Sequence, residues 1–228
     1  MSFAVVSVRR YPVKALGGEA LASVRLDARG LAGDRWFAVQ DGEGHFASGK
    51  STRRFRRRDG VFAYRAATDG DRVTVTGRGG SWTVGEHALD DELSTALATP
   101  VRVTPEGAVP HQDAGSVSLV GSATLRWCAE RWGIDADARR LRANVVFDGG
   151  EPFVEESWVG RRLRIGTAVL TVVGRVERCR TIDVAQDGVD ADGRWLGPLA
   201  AERQLRIAVY VDVTEPGTIG VGDALQVL

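Results

Sequence analysis

Short alternating or apolar runs, each closed by a Gly- or Asp-containing turn, recur about every 8–12 residues along the chain, and this rhythm restricts the fold more than anything else. "FAVVSVRRYPV" reads as a strand that Pro12 confines to an edge or a strand end, because proline has no N–H to give a ladder. "ASVRLDARGLAGDRWFAVQDGEGHFAS" reads as strand, loop, strand, a tight turn at Asp41-Gly42-Glu43-Gly44, and a return strand. "DGVFAYRAATDGDRVTVTG" repeats the pattern with its turn at Asp69-Gly70-Asp71. Two segments keep helical spacing instead. In "ALDDELSTALATP", Leu89, Leu93 and Leu97 share one face and Pro100 ends the run. In "SATLRWCAERWG", Ser122 is the expected N-cap, Leu125, Cys128 and Trp132 share a face, and Gly133 is the stop. Strands return in "RANVVFDG", "RLRIGTAVLTVVGRVERC" and "LRIAVYVDVTEPGTIGVGDALQVL". "VGRRLRIGTAVL" and "PGTIGVGDALQV" echo each other and are both predicted to be barrel hairpins. The expected fold is α+β, mostly β, with two barrel-like halves and short helices. Pro100, Pro105 and Pro110 mark the expected boundary, giving domains 1–105 and 106–228.

The 228 residues carry 30 basic and 30 acidic side chains, a formal net charge of zero, which argues against a nucleic acid or an anionic membrane as the main partner. No apolar run approaches the roughly 20 residues that span a bilayer, and "MSFAVVSVRRYP" lacks the features of a signal peptide. Two cysteines far apart do not make a disulfide framework, so a cytoplasmic, reducing location is expected.

One of those cysteines stands in "VERCRTID", between Arg178 and Arg180 at the end of a long apolar strand. A core thiol usually has apolar neighbours; guanidinium groups favour the thiolate, which attacks electrophiles and binds soft metals. Cys179 is therefore a candidate for metal or sulfur chemistry, and Cys128, on a helix face, for packing. Of the 30 basic residues only Lys14 and Lys50 are lysines, each in a segment that reads as a turn. Where arginine is so abundant, a retained lysine can mark a place that needs a compact ammonium. His111 and Asp113 open the second half and are candidate site residues, although a lone histidine beside Pro110 is more often a hydrogen-bonded loop residue. "RRFRRR", Arg53 to Arg58, reads as a solvated strand face or a docking surface for an acidic partner rather than a nucleic-acid patch.

Five segments in order, "RRYPVKALGGEAL", "GLAGDRWFAVQD", "LRANVVFDG", "EESWVGRRLRIGTAVLTVVGRVERC" and "PGTIGVGDALQVL", resemble the MOSC family, which contains the C-terminal domain of molybdenum-cofactor sulfurase. The resemblance runs from Val8 to Leu228 and implies a MOSC N-terminal β-barrel followed by a MOSC β-barrel. The characterised relatives that the chain resembles are the mitochondrial amidoxime-reducing component and its bacterial counterparts, which reduce N-hydroxylated compounds at a molybdenum centre. The resemblance implies that Cys179 gives its thiolate to the molybdenum of the pterin cofactor, and that Lys14 and Arg35 meet the cofactor's terminal phosphate. Arg142 and Asn144 match residues near the pterin and phosphate. Placed two apart on a strand, they are expected to reach one ligand together. Arginine forks suit phosphate, and a soft thiolate suits molybdenum held by dithiolene sulfurs.

The sequence also departs from the family pattern. Ala15 replaces a serine common after the lysine, and "CRTIDVAQDG" differs from the family's usual loop after the cysteine. With two cysteines the chain holds no four-cysteine iron–sulfur cluster, so electrons are expected from a separate donor protein. No pyridoxal phosphate is expected either, since the sulfurase's pyridoxal-dependent half has no counterpart here. The expected function is reduction of small N-hydroxylated compounds. Two alternatives are a sulfur carrier with a persulfide on Cys179 and non-catalytic binding or delivery of the cofactor.

Overall fold

Along the strands of the second half every other side chain is fully buried, as in Val117 and Leu119, Val145 and Phe147, Leu163 and Ile165, and Val209 and Val211. In the computed structural model, which describes residues 3–192 and 194–228, these alternations line the inside of a closed barrel. The first half opens with β1 (Phe3–Arg10), β2 (Glu19–Leu21), β3 (Ser23–Asp27), β4 (Gly30–Leu31), β5 (Phe37–Asp41), β6 (Phe46–Ser48) and β7 (Phe55–Arg57). It continues with β8 (Arg65–Asp69), β9 (Arg72–Gly77), β10 (Gly80–Thr83), α1 (His87–Leu97) and β11 (Val101–Pro105). The second half runs through β12 (Val117–Gly121), α2 (Ser122–Trp132), β13 (Val145–Asp148), β14 (Arg162–Ile165) and β15 (Ala168–Glu177). It ends with α3 (Leu196–Arg203), β16 (Arg206–Glu215), β17 (Gly217–Gly220) and β18 (Ala224–Val227).

Seven strands close the barrel in the order β1-β13-β12-β16-β15-β14-β18, with β18 returning to β1. Within the barrel the β12–β13 pair alone is parallel, because α2 carries the chain back over the outside between them. A second apolar layer, including Val120, Cys128, Val146, Val176, Trp195 and Ile207, packs the helices against the barrel's outer face. Chain-wise, the split near residue 105 does not divide the hydrogen bonding. β1 is a barrel stave, β2 pairs with β1, and β3 pairs with both β4 and β17.

The first half proper is two small sheets, β11-β5-β6-β7 and β10-β9-β8, sharing one core with α1. Residues 11–17 lace them together: Val13 bridges to Phe37 on one sheet and Gly17 to Arg65 on the other. The expected turns form. Asp41 caps its own turn by accepting from the N–H groups of Glu43 (3.1 Å) and His45 (2.9 Å), and Asp69 pairs with Arg72 around a two-residue loop. Leu89 and Leu93 are fully buried along α1.

Three expectations are corrected. Gly121, not Ser122, caps α2, and the Ser122 hydroxyl donates to Asp148 instead. "PGTIGVGDALQV" is not a hairpin: β17 pairs with β3, while β18 pairs with β14 and β1. Arg142 and Asn144 are not on a strand. β13 begins at Val145, and residues 137–142 form a tight coil in which the Arg140 and Arg142 N–H groups donate to the carbonyls of Asp137 and Arg139. No helix among the described residues is long and apolar enough to cross a membrane.

Candidate cofactor site

A cavity of about 860 Å³ opens between the two halves, of a size that suits a large organic ligand. Its wall draws Lys14, Arg35, Ser48 and Lys50 from the first half and Arg142, Arg178, Cys179, Thr181 and Tyr210 from the second. Basic side chains outnumber carboxylates on this wall by seven to three, so its field is cationic although the chain is neutral overall.

The cradle is built on two aromatic platforms. Tyr11 is fully buried, and three guanidinium carbons surround its ring: Arg142 at 4.3 Å from the centroid, Arg35 at 5.2 Å and Arg9 at 5.9 Å. Lys14 lies 4.5 Å from the Phe55 ring centroid, Arg54 4.9 Å and Lys50 5.3 Å. Ring faces are attractive to cations and let like charges share a small volume. Arg35 also pairs with the buried Asp34, whose other oxygen accepts the Tyr11 backbone N–H at 2.8 Å. Arg142 donates to the carbonyl of Leu16 at 2.7 Å.

Backbone geometry sets these side chains. Ala15, Arg35 and Arg142 all adopt positive φ, 70°, 54° and 50°, a region that costs non-glycine residues of order 1 kcal/mol or more. All three line the cavity. At Arg142 the left-handed turn replaces the expected strand and aims the guanidinium across the first half. Asn144 is buried and is not on the cavity wall. Its amide oxygen accepts from the Ser118 N–H and hydroxyl, both at 3.1 Å, its amide nitrogen donates to the Arg9 carbonyl at 3.2 Å, and Arg35 reaches it at 3.5 Å. It braces the wall from behind.

Asp113, a candidate site residue from the sequence, sits between the two lysines, 3.3 Å from Lys14 Nζ and 3.6 Å from Lys50 Nζ. Burial by itself would raise its pKa, but Lys14 and Lys50 outweigh that and hold it down at about 2. Burial pushes Lys14 down to about 8, with Asp113 opposing and Arg35 and Arg142 adding repulsion. Loop 110–113 is pinned by Arg54, which donates to the carbonyls of Pro110 (3.1 Å) and Asp113 (3.1 Å). His111 is a buried loop residue, with Nδ1 3.1 Å from the Arg35 carbonyl. The rest of the "RRFRRR" run is largely paired within the chain: Arg56 with Glu43, Arg57 with Asp59 and Arg58 with Asp41.

At the other end, β15 stops at Glu177 and the chain turns. Arg178 is half-buried and donates to the carbonyls of Leu141 (2.8 Å) and Ile207 (3.1 and 3.2 Å), with no carboxylate partner among the described residues. Burial lowers its pKa to about 10, as it does that of Arg142. Arg180 turns away from the cavity to bind Asp59 through two bonds of 2.7 and 3.0 Å. Cys179 is partly exposed and faces the cavity, whereas Cys128 is fully buried and burial raises its thiol to about 12. Among the described residues no three His, Cys, Asp or Glu side chains gather around a point that could hold a bare metal ion. Sequence reasoning missed Tyr11 and the carbonyl-bound role of Arg178 and offered Asp113 without its lysine partners; the rarity of lysine was the one signal that pointed at Lys50.

A 54-residue stretch is 41% identical to the molybdenum cofactor sulfurase of Oryza sativa subsp. japonica, covering 24% of this chain and 6% of that protein. The YUAD protein from Bacillus subtilis superposes over 100% of this chain and 96% of its own, with a TM-score of 0.53 at 13% identity, and so shares the fold. YiiM from Escherichia coli is similar at 12% identity over 100% of this chain and 70% of its own, with a TM-score of 0.48. Residues 2–107 match the MOSC N-terminal beta barrel domain and residues 106–226 the MOSC domain. The chain therefore belongs to the MOSC family.

Proposed function

We propose that the cavity holds the molybdenum cofactor, with Cys179 as the protein's ligand to the metal, and that the loaded protein reduces small N-hydroxylated compounds with electrons from a separate donor protein. The observation that carries this reading is a solitary sulfur and an excess of cations on the wall of one cavity. The donor set fits the group: a soft sulfur for a metal that brings its own ligands, and an arginine- and lysine-rich cradle for a phosphate. Lys14, Arg35 and Arg142 would hold the phosphate, with Asn144 fixing Arg35. A persulfide carrier needs only an accessible thiol, which leaves the cradle without a purpose. When bound, the cofactor supplies the two-electron chemistry. The chain's part is to bind, orient and enclose. Arg178, its charge screened only by carbonyl oxygens, keeps positive potential beside the sulfur and favours anionic groups there. The two unpaired thiols suit a reducing compartment, the cytoplasm.

The test is metal analysis of protein purified from hosts that make the cofactor and hosts that do not. Stoichiometric molybdenum is expected only from the first. Cys179→Ser should lose the thiolate ligand and the activity while folding normally. Equal metal content from both hosts refutes the reading, and cyanide-releasable sulfur without molybdenum favours the carrier.

A further inference from the structure

We propose that Thr181 is a positioning residue that sets the electron-donor strength of the Cys179 sulfur through a hydrogen bond from its hydroxyl. The proposal rests on the reading of Cys179 as a metal ligand.

Cys179 is extended (φ −118°, ψ 179°) immediately before a single 3-10 turn, Arg180–Asp183. The turn folds Thr181 back so that its Oγ1 lies 3.3 Å from Cys179 Sγ. A metal-bound thiolate has no proton to donate, so in the loaded protein the hydroxyl is the donor and the sulfur the acceptor. Hydrogen bonds of this kind withdraw charge from a ligand and tune the metal it holds.

The hydroxyl is aimed by the first half of the chain. A Cβ placed on Gly49, just past β6, would lie 2.2 Å from Thr181 Oγ1, so only glycine leaves the hydroxyl its position. Arg180 is tied to the same strand end, donating to the Gly49 carbonyl at 3.2 Å as well as to Asp59. Gln186 Nε2 donates to the Thr181 carbonyl at 2.5 Å and fixes the turn from the other side. Thr181 thus couples the half that carries the cationic cradle to the sulfur on the other.

The experiment compares wild type, Thr181→Val, Thr181→Ser and Gly49→Ala, all made in a cofactor-competent host. Molybdenum per chain is read first, then the sulfur-to-molybdenum charge-transfer band of the oxidised protein. Removing the hydrogen bond raises the energy of the sulfur lone pairs, so the band should move to longer wavelength in Thr181→Val. Gly49→Ala should shift it the same way while keeping the threonine, and Thr181→Ser should restore the wild-type position. Loss of molybdenum from the valine variant, with the serine variant fully loaded, also supports a requirement for the hydroxyl. A fully loaded valine variant with an unmoved band overturns the proposal. So do valine and serine variants that change alike, since that assigns Thr181 a purely steric role. Wild-type protein that carries no molybdenum overturns the cofactor reading and this proposal together.

Discussion

Lys14 offers the sharpest quantitative test of the cradle. Its ordinary pKa of 10.5 falls to about 8 because the ammonium is buried, with Arg35 and Arg142 nearby and only Asp113 opposing. At about 1.4 kcal/mol per pH unit, keeping Lys14 charged in the fold costs about 3 kcal/mol. Because this pKa is lowered on folding, the unfolded chain binds the extra proton between pH 8 and 10.5. In that window this group makes stability rise with pH, and below pH 8 its cost is fully present. A bound dianion reverses the preference by stabilising the ammonium. Sulfate is the suitable probe, because it matches a phosphate in charge and does not itself titrate in this range. If binding needs charged Lys14, sulfate affinity should weaken about tenfold from pH 7 to pH 9, and at pH 9 roughly nine-tenths of a proton should be taken up per sulfate bound. Isothermal titration calorimetry in two buffers of different ionisation enthalpy measures both quantities. Lys14→Met should weaken binding at pH 7 and abolish the pH slope. A wild-type affinity that stays flat between pH 7 and 9, or a slope that survives in Lys14→Met, refutes the reasoning.

Two further predictions concern the seam and the thiols. The Asp187 carboxylate is fully buried and holds Arg9 (2.6 Å) and the Gly18 N–H (3.2 Å), tying the loop after Cys179 to the segment that carries Lys14. Asp187→Asn should cost about 3 kcal/mol in a urea melt because a buried ion pair loses one partner; a cost below about 1 kcal/mol would show that the contact is not structural. Iodoacetamide should label one of the two cysteines of the native cofactor-free protein, Cys179, while Cys128 reacts only after unfolding; mass spectrometry of the labelled peptides reads this directly.

The fold was legible wherever it is locally encoded. Leu89 and Leu93 repeat on one face of α1, Asp69-Gly70 makes its own turn, and Gly133 ends α2 with φ of 62°. What could not be read is non-local. Nothing in "PGTIGVGDALQV" says that β17 will pair with β3, nearly 200 residues earlier, rather than with its neighbour. Arg142 and Asn144 alternate with apolar residues as a strand would, yet the coil over 137–142 takes precedence and leaves Arg142 at positive φ. That Cys179, Lys14, Arg35 and Arg142 would share one cavity wall was expected only from the family resemblance. The lysine–aspartate contact was not legible, because Asp113, although a candidate site residue, lies 99 residues from Lys14 in sequence.

The cradle residues run against the local preferences of the chain. Ala15, Arg35 and Arg142 sit in a strained backbone region, and Lys14, Arg142 and Arg178 are charged groups that burial works against. Each choice by itself works against the fold, and all of these residues line the same cavity. The surrounding structure overrides them by non-local means: Tyr11 and Phe55 beneath the cations, Asp34 beside Arg35, and Asp113 between the lysines. An incoming anion can take over the role of Asp113 toward the lysines, so ligand binding and relief of the like-charge repulsion become one event. The wall of this cavity is drawn from both halves of the chain, so neither half alone presents this set of charges.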